Sequence, residues 1–301
     1  MKKIYSLKHF IFLFLFLVFC GGVSAQISNV HVEYSCPCRV TVTYDLSVGL
    51  CDRVLLYYSP DTVSVGWLFA KTLSGKSVGT NTEIWDCEAA GEIFGLYYYK
   101  LAVAPDFVTI NGVRWATRNV DMPNTFCECP TDTGMYYKWN RKVGWSNKNP
   151  LINSDGGTTW DDTYDRNITV WQSVSNPCPS GFRVPTTAEI NALINTTYVT
   201  YQSTIDNNNP YKAGGGRFTD TGADGRGNAG NSIFMPTSTC RANNGYIYGM
   251  SMLGVIADAG YWGNSQSNGP AAVYAFFFDL SSAFLANCSK SAALPVRCVV
   301  Q

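Results

Sequence analysis

Asn176-Pro177-Cys178-Pro179-Ser180-Gly181-Phe182-Arg183-Val184-Pro185-Thr186-Thr187-Ala188-Glu189-Ile190 is the stretch on which the fold turns. Thr186 followed three residues later by Glu189 fits a capping box. In that motif the threonine hydroxyl and the glutamate carboxylate satisfy backbone N–H groups that the first helical turn leaves free. Ile190, Leu193 and Ile194 follow at i, i+3 and i+4, an apolar stripe suited to packing on a sheet. Asn195 and Thr196 end the helix. It is the one well-specified helix of the chain.

Further stretches frame this one. Upstream lie Ile110-Asn111-Gly112-Val113-Arg114-Trp115-Ala116-Thr117-Arg118-Asn119-Val120-Asp121 and Gly134-Met135-Tyr136-Tyr137-Lys138-Trp139-Asn140. Downstream come Gly260-Tyr261-Trp262 and the closing Pro295-Val296-Arg297-Cys298-Val299-Val300. Together, residues 105–301 resemble the Fibrobacter succinogenes major paralogous domain. That domain is a bacterial branch of the C-type-lectin-like and formylglycine-generating-enzyme-like superfamily. The resemblance implies an α+β, C-type-lectin-like domain with long irregular loops, and a disulfide between Cys178 and Cys298 that ties the helix region to the last strand. The superfamily hosts adhesins, lectins and oxidases alike, so function has to be argued from the site.

The N-terminus reads as a leader. Lys2 and Lys3 precede an apolar run from Phe10 to Phe19, and Val23-Ser24-Ala25 offers small residues before Gln26. This pattern predicts a signal peptide over residues 1–25, its apolar core too short to serve as a permanent membrane span. A lipoprotein alternative rests on Leu17-Val18-Phe19-Cys20-Gly21, with Phe19 sitting where a small side chain is normal. No later segment reaches membrane-spanning length. Removing residues 1–25 takes Lys2, Lys3 and Lys8 from 22 basic residues and leaves 19 against 22 acidic ones. The slight negative balance and the lack of a basic block argue against nucleic acid as a partner.

Residues 26–104 alternate with period two. Val40, Val42, Tyr44 and Leu46 are separated by Thr41, Thr43 and Asp45, a strand with one buried face. Val54 to Tyr58 and Leu96 to Val103 are further strand-like runs. Short strands between turn signals predict an antiparallel β-sandwich, similar to immunoglobulin-like or fibronectin-type-III-like modules. Pro105 marks the boundary, because it cannot donate to a ladder.

Eleven cysteines become ten once Cys20 leaves: Cys36, Cys38, Cys51 and Cys87 early, and Cys127, Cys129, Cys178, Cys240, Cys288 and Cys298 late. An even number in an exported chain reads as structural disulfides. Cys240 with Cys288 is the second pairing expected in the C-terminal part, and the four early cysteines are expected to pair among themselves. Cys127-Glu128-Cys129 admits a soft-metal or redox reading beside that of two half-cystines in a loop.

The catalytic inventory is thin. His31 is the only imidazole after the leader, which removes Ser–His–Asp, Cys–His and three-histidine iron sites in their usual forms. Neither a Walker loop nor a dinucleotide fingerprint occurs. Cys178 and Cys298 match the fold-closing positions of the family rather than the reactive cysteine pair of its copper oxidases. The Glu-Pro-Asn and Trp-Asn-Asp motifs of calcium-dependent sugar binders are missing, and Asp220 and Asp224 remain as weak metal candidates.

After Tyr198, Asp206 to Pro210, Gly214 to Gly216 and Thr219 to Asn231 read as a long irregular stretch, and strand-like runs return at Ile233 to Met235, Ala272 to Leu280 and Leu294 to Val300, the last a single closing strand. The Gly/Asn-rich long-loop region between about Tyr198 and Ser267 is where function is expected to concentrate. Tyr211, Tyr246, Tyr248 and Tyr261 lie in or beside it, with Asn243, Asn244, Asn264 and Gln266. Tyr supplies rigid contact area and Asn adaptable hydrogen bonds, the chemistry of a recognition surface; ordinary loop packing is the alternative. Trp115, Trp139 and Trp262 read as core. The expected function is therefore that of an exported, cell-surface, non-catalytic binding or adhesion protein. It would need no cofactor and would recognise a glycan or a surface protein. The rival readings are an oxidase of the formylglycine-generating type and a structural subunit with surface-appendage partners.

Overall fold

The computed structural model describes residues 27–35, 39–49, 54–59, 68–73, 76–86, 98–103, 106–203, 214–226, 228–250, 254, 257–267 and 269–301. The chain divides into residues 1–104 and 105–301. Strand dominates both units, and one α-helix is present among the described residues.

In the first unit, β1 (Ile27–Ser35), β2 (Arg39–Leu46) and β5 (Gly79–Asp86) form one antiparallel sheet in the order β1-β2-β5. A second sheet runs β4-β3-β6, from β4 (Leu68–Leu73), β3 (Val54–Ser59) and β6 (Tyr98–Val103). The alternation of β2 puts Val40, Val42, Tyr44 and Leu46 on one buried face. They share a core with Val54, Leu56 and Tyr58 of the other sheet, closed by Trp85 and Tyr99. Two sheets enclosing one apolar layer is the sandwich solution to burying one face of each. His31 points outward, its side chain 67% exposed and its ring 3.2 Å from Glu33.

The second unit opens with a tight hairpin, β7 (Phe107–Ile110) to β8 (Val113–Asn119). Asn111 and Gly112 make the turn with φ of 45° and 76°, the left-handed pair that matches the twist of a two-residue hairpin. Then come β9 (Tyr136–Lys138), β10 (Gly144–Trp145), β11 (Phe182–Arg183), α1 (Thr187–Leu193), β12 (Val199–Ser203), β13 (Gly215–Asp220) and β14 (Ser232–Pro236). They are followed by β15 (Cys240–Arg241), β16 (Ile247–Tyr248), β17 (Ala259–Gln266), β18 (Ala272–Phe278), β19 (Ala283–Ser289), β20 (Ala293–Leu294) and β21 (Arg297–Val300). Among the described residues these strands form four sheets, in the orders β11-β21-β8-β7, β10-β9-β20-β15-β16, β12-β13-β14 and β17-β18-β19.

Closure of the unit is both hydrogen-bonded and covalent. β21, the last strand, pairs with β8 near the start, and Cys178 is bonded to Cys298 with Cα atoms 6.1 Å apart. α1 carries the full capping box: the Glu189 N–H donates to Thr186 Oγ1 at 3.2 Å, and the Thr186 N–H to Glu189 Oε2 at 2.8 Å. Arg183 of β11 adds a bidentate clamp on the same carboxylate, at 2.8 and 2.7 Å. Ile190 and Leu193 are buried, with Ile194 partly so, against Trp115, Tyr261 and Phe276.

The structure corrects four expectations here. The single closing strand from Leu294 to Val300 is two strands in different sheets, β20 and β21, broken at Pro295, which has no N–H to donate. The Gly-rich stretch is not wholly irregular, because Gly215 and Gly216 belong to β13. A Cβ on Gly215 would lie 2.4 Å from the Phe234 ring, and one on Gly216 2.7 Å from Tyr201. The glycines are therefore what lets aromatic rings lie against this strand. Cys240 and Cys288 are not bonded; both are buried free thiols. Cys127 and Cys129 do not share one state either, since Cys129 is disulfide-bonded while Cys127 is a buried free thiol. The expected pairing of Cys36, Cys38, Cys51 and Cys87 falls outside the described residues, as do residues 1–25.

Candidate functional site

The hairpin β15–β16 gathers half of the expected binding residues. Cys240 pairs with Tyr248 and Arg241 with Ile247. The Ala242 N–H donates to the Tyr246 carbonyl at 3.0 Å, and the Gly245 N–H to the Ala242 carbonyl at 2.9 Å, which tightens the tip. Asn243, Asn244 and Tyr246 are exposed there, Tyr246 at 65%. Asn244 braces the tip, since its Oδ1 accepts from the Tyr246 N–H at 3.1 Å and its Nδ2 donates to the half-buried Tyr248 hydroxyl at 3.2 Å.

Two side chains that the sequence did not single out hold this tip. Arg241 is fully buried, and its guanidinium donates to Ser146 O at 2.7 Å, Ser146 Oγ at 2.9 Å, Lys148 O at 2.8 Å and Gly245 O at 2.6 Å. Burial holds its pKa below the ordinary arginine value. Trp160, half-buried, donates from Nε1 to Asn243 O at 2.8 Å and packs on Trp145 with ring centroids 4.9 Å apart. Gly245, at φ +79°, faces the same indole; a Cβ there would come within 2.8 Å of it. A lone tryptophan in the polar run from Asp155 to Arg166 was the available signal for Trp160. A large apolar ring in such a run has to find a partner surface. Arg241 offered none, because nothing local distinguishes a buried arginine from a solvated one.

The other expected residues lie elsewhere. Tyr261 is 1% exposed in β17, its hydroxyl donating to Pro236 O at 2.7 Å and accepting from Asn119 Nδ2 at 3.3 Å. It is a core residue, since period two of β17 turns it toward Phe276 and Phe278. Asn264 and Gln266 are half-buried at the far end of β17. Asn264 Oδ1 accepts from Ser265 Oγ at 2.6 Å, and Gln266 Oε1 from Lys290 Nζ at 3.0 Å, so both oxygens serve internal bonds. Tyr211 falls outside the described residues.

Asp220 and Asp224 also have structural duties. Asp220, 2% exposed, accepts from the Asn111 N–H at 2.6 Å and the Gly222 N–H at 2.7 Å. Asp224 accepts from the Arg226 N–H at 3.0 Å and lies 3.5 Å from the Arg226 guanidinium. Among the described residues no group of three or more His, Cys, Asp or Glu side chains is placed to hold a metal ion.

The thiols are shielded. Burial, reinforced by Asp121 and Asp132, pushes Cys127 up to about 12, and burial pushes Cys240 up to about 11. Cys288 is raised further by burial and by Cys240 beside it. Thiols held in the protonated form are poor nucleophiles and poor metal ligands. Among the described residues no helix is long and apolar enough to cross a membrane. Comparison of the chain with protein-family models, curated proteins and solved structures finds no match in any of the three.

Proposed function

We propose that this is an exported, non-catalytic binding protein, and that its C-terminal unit, read as a C-type-lectin-like domain, recognises a glycan or a surface protein through the β15–β16 tip. The observation that carries the proposal is the convergence of exposed Tyr246, Asn243 and Asn244 with Tyr248 on one hairpin, braced from below by Trp160 and Arg241. An exposed aromatic ring over a rigid support presents contact area that loses little freedom on binding. Asparagine side chains add donors and acceptors suited to sugar hydroxyls or peptide groups. The N-terminal unit, a sandwich of the immunoglobulin or fibronectin type, would serve as the stalk. A leader cleaved after Ala25 would place the protein at the cell surface.

Raised thiol pKa values at Cys127, Cys240 and Cys288 weigh against the rival copper-oxidase reading, which needs a reactive pair. The test is an array of glycans and host proteins probed with the mature chain and with Tyr246→Ala. A ligand captured by the wild type and lost by the variant supports the proposal. A ligand captured equally by both moves the site away from the hairpin, and catalytic oxidation of a peptidyl cysteine would replace the proposal altogether.

A further inference from the structure

The segment from Trp160 to Val170 has no strand or helix of its own, yet it supplies the indole on which the hairpin tip rests. Its backbone is gathered by two buried lysines. Lys138, at the end of β9 and 3% exposed, donates from Nζ to the carbonyls of Asp161 and Thr163, the latter at 2.6 Å. Lys290, in the turn after β19 and fully buried, donates to Ile168 O at 2.6 Å, Gln266 Oε1 at 3.0 Å and Asp165 O at 3.4 Å. Each ammonium also lies over an indole: Lys138 at 5.7 Å from the Trp160 centroid, Lys290 at 4.7 Å from that of Trp139. Neither has an ion-pair partner among the described residues.

A buried cation without a carboxylate is unfavourable unless dipoles replace its hydration shell. Here main-chain carbonyls and aromatic faces take that place, and the side chains of Asp161 and Asp165 stay exposed. Burial lowers the pKa of both ammonium groups, and the nearby Asp161, Asp162 and Asp165 oppose that shift. Convergence of carbonyl oxygens on one positive centre is the task a bound calcium ion performs in loop-rich domains.

We propose that Lys138 and Lys290 are the positioning residues of this segment, two internal ammonium groups that order it in place of a metal ion. The relevance of that order to ligand binding rests on the hairpin reading above; the order itself does not. Hydrogen exchange on the intact mature protein tests it without any ligand. Lys138→Met should speed exchange at least tenfold in peptides covering 160–164, and Lys290→Met likewise over 165–169, with the rest of the unit unchanged. Lys→Arg at either position, keeping charge and donors, should restore most of the protection, and EDTA should leave the wild type unaffected.

Should the Met variants fail to fold, wild-type protein labelled with 15N-lysine and assigned by residue decides: besides the ion-paired Lys76, ammonium groups protected from fast solvent exchange are expected at Lys138 and Lys290. Fast exchange of the Lys138 and Lys290 ammonium groups would overturn the proposal. So would Met variants that match the wild type, loosening spread evenly over the unit, or loosening by EDTA. If the clamp holds and Tyr246→Ala still binds normally, the binding assignment alone fails.

Discussion

The Trp160 indole N–H donates to the main-chain oxygen of Asn243 at 2.8 Å, across 83 residues of sequence. One bond thus seats the tip of β15–β16 on a segment that has no strand or helix of its own. The bond lies at an exposed edge, so water can replace it when the indole N–H is removed. Trp160→Phe should therefore change unfolding free energy by less than about 1 kcal/mol, while loosening the tip. Ligand titration of this variant against wild type, with a parallel melt, separates the two effects; a large stability loss would mean that Trp160 is core.

Tyr246 is the exposed ring of the tip. Tyr246→Ala should weaken the captured ligand by about 1–3 kcal/mol if it is an anchor. Its thermal midpoint should match the wild type, because the ring is mostly in solvent. Equal affinity in calorimetric titration would remove Tyr246 from the site.

Tyr261 makes the opposite case. Tyr261→Phe leaves Pro236 O and Asn119 Nδ2 without the hydroxyl in a buried site, a loss of about 1–3 kcal/mol. Denaturant unfolding should show this in the midpoint, with ligand affinity unaltered. A variant as stable as the wild type would mean that the hydroxyl contributes little to the core.

The Cys178–Cys298 bond spans a sequence separation of 120. In the chain-entropy view, closing a loop of that size stabilises the unit by roughly 4–5 kcal/mol. The double Ala variant should lose a comparable amount in equilibrium unfolding. Cys127, Cys240 and Cys288 should react slowly with Ellman's reagent in the native protein and fully after unfolding. A rapid native burst, or a mapped Cys240–Cys288 bond, would contradict their assignment as shielded thiols.

Glu189 sets an acid limit. Burial alone would raise its pKa, but the Arg183 and Thr186 hydrogen bonds outweigh burial and hold the carboxyl below its ordinary value. A depressed carboxyl contributes stability that is complete above the unfolded value, about 4.3, and is lost as pH falls through the lower folded value. Glu189→Gln should flatten that part of the stability curve and cost about 1 kcal/mol at neutral pH through the weakened cap. Parallel curves for the two proteins below pH 4 would show that the cap carries no acid sensitivity.

Features that depend on local chemistry alone are legible in the chain's residues. Thr186 and Glu189 specify the cap because a capping box is closed within four residues. Val40 to Leu46 specify a one-faced strand because side-chain period is a property of the backbone. Pairing β8 with β21, splitting the closing run at Pro295, and burying Tyr261 while exposing Tyr246 are long-range outcomes. Both tyrosines sit in Gly- and Asn-rich surroundings, and only tertiary placement, Tyr261 inside β17 and Tyr246 in the turn before β16, decides which ring meets Phe276 and which meets water. Cys240 and Cys288 pack into one core without bonding, an outcome that parity counting does not reach. Lys138, Lys290 and Arg241 are three cations whose composition reads as solvated surface. Tertiary packing turns them inward, because the carbonyls of otherwise unpaired loops need donors and strand partners do not reach them.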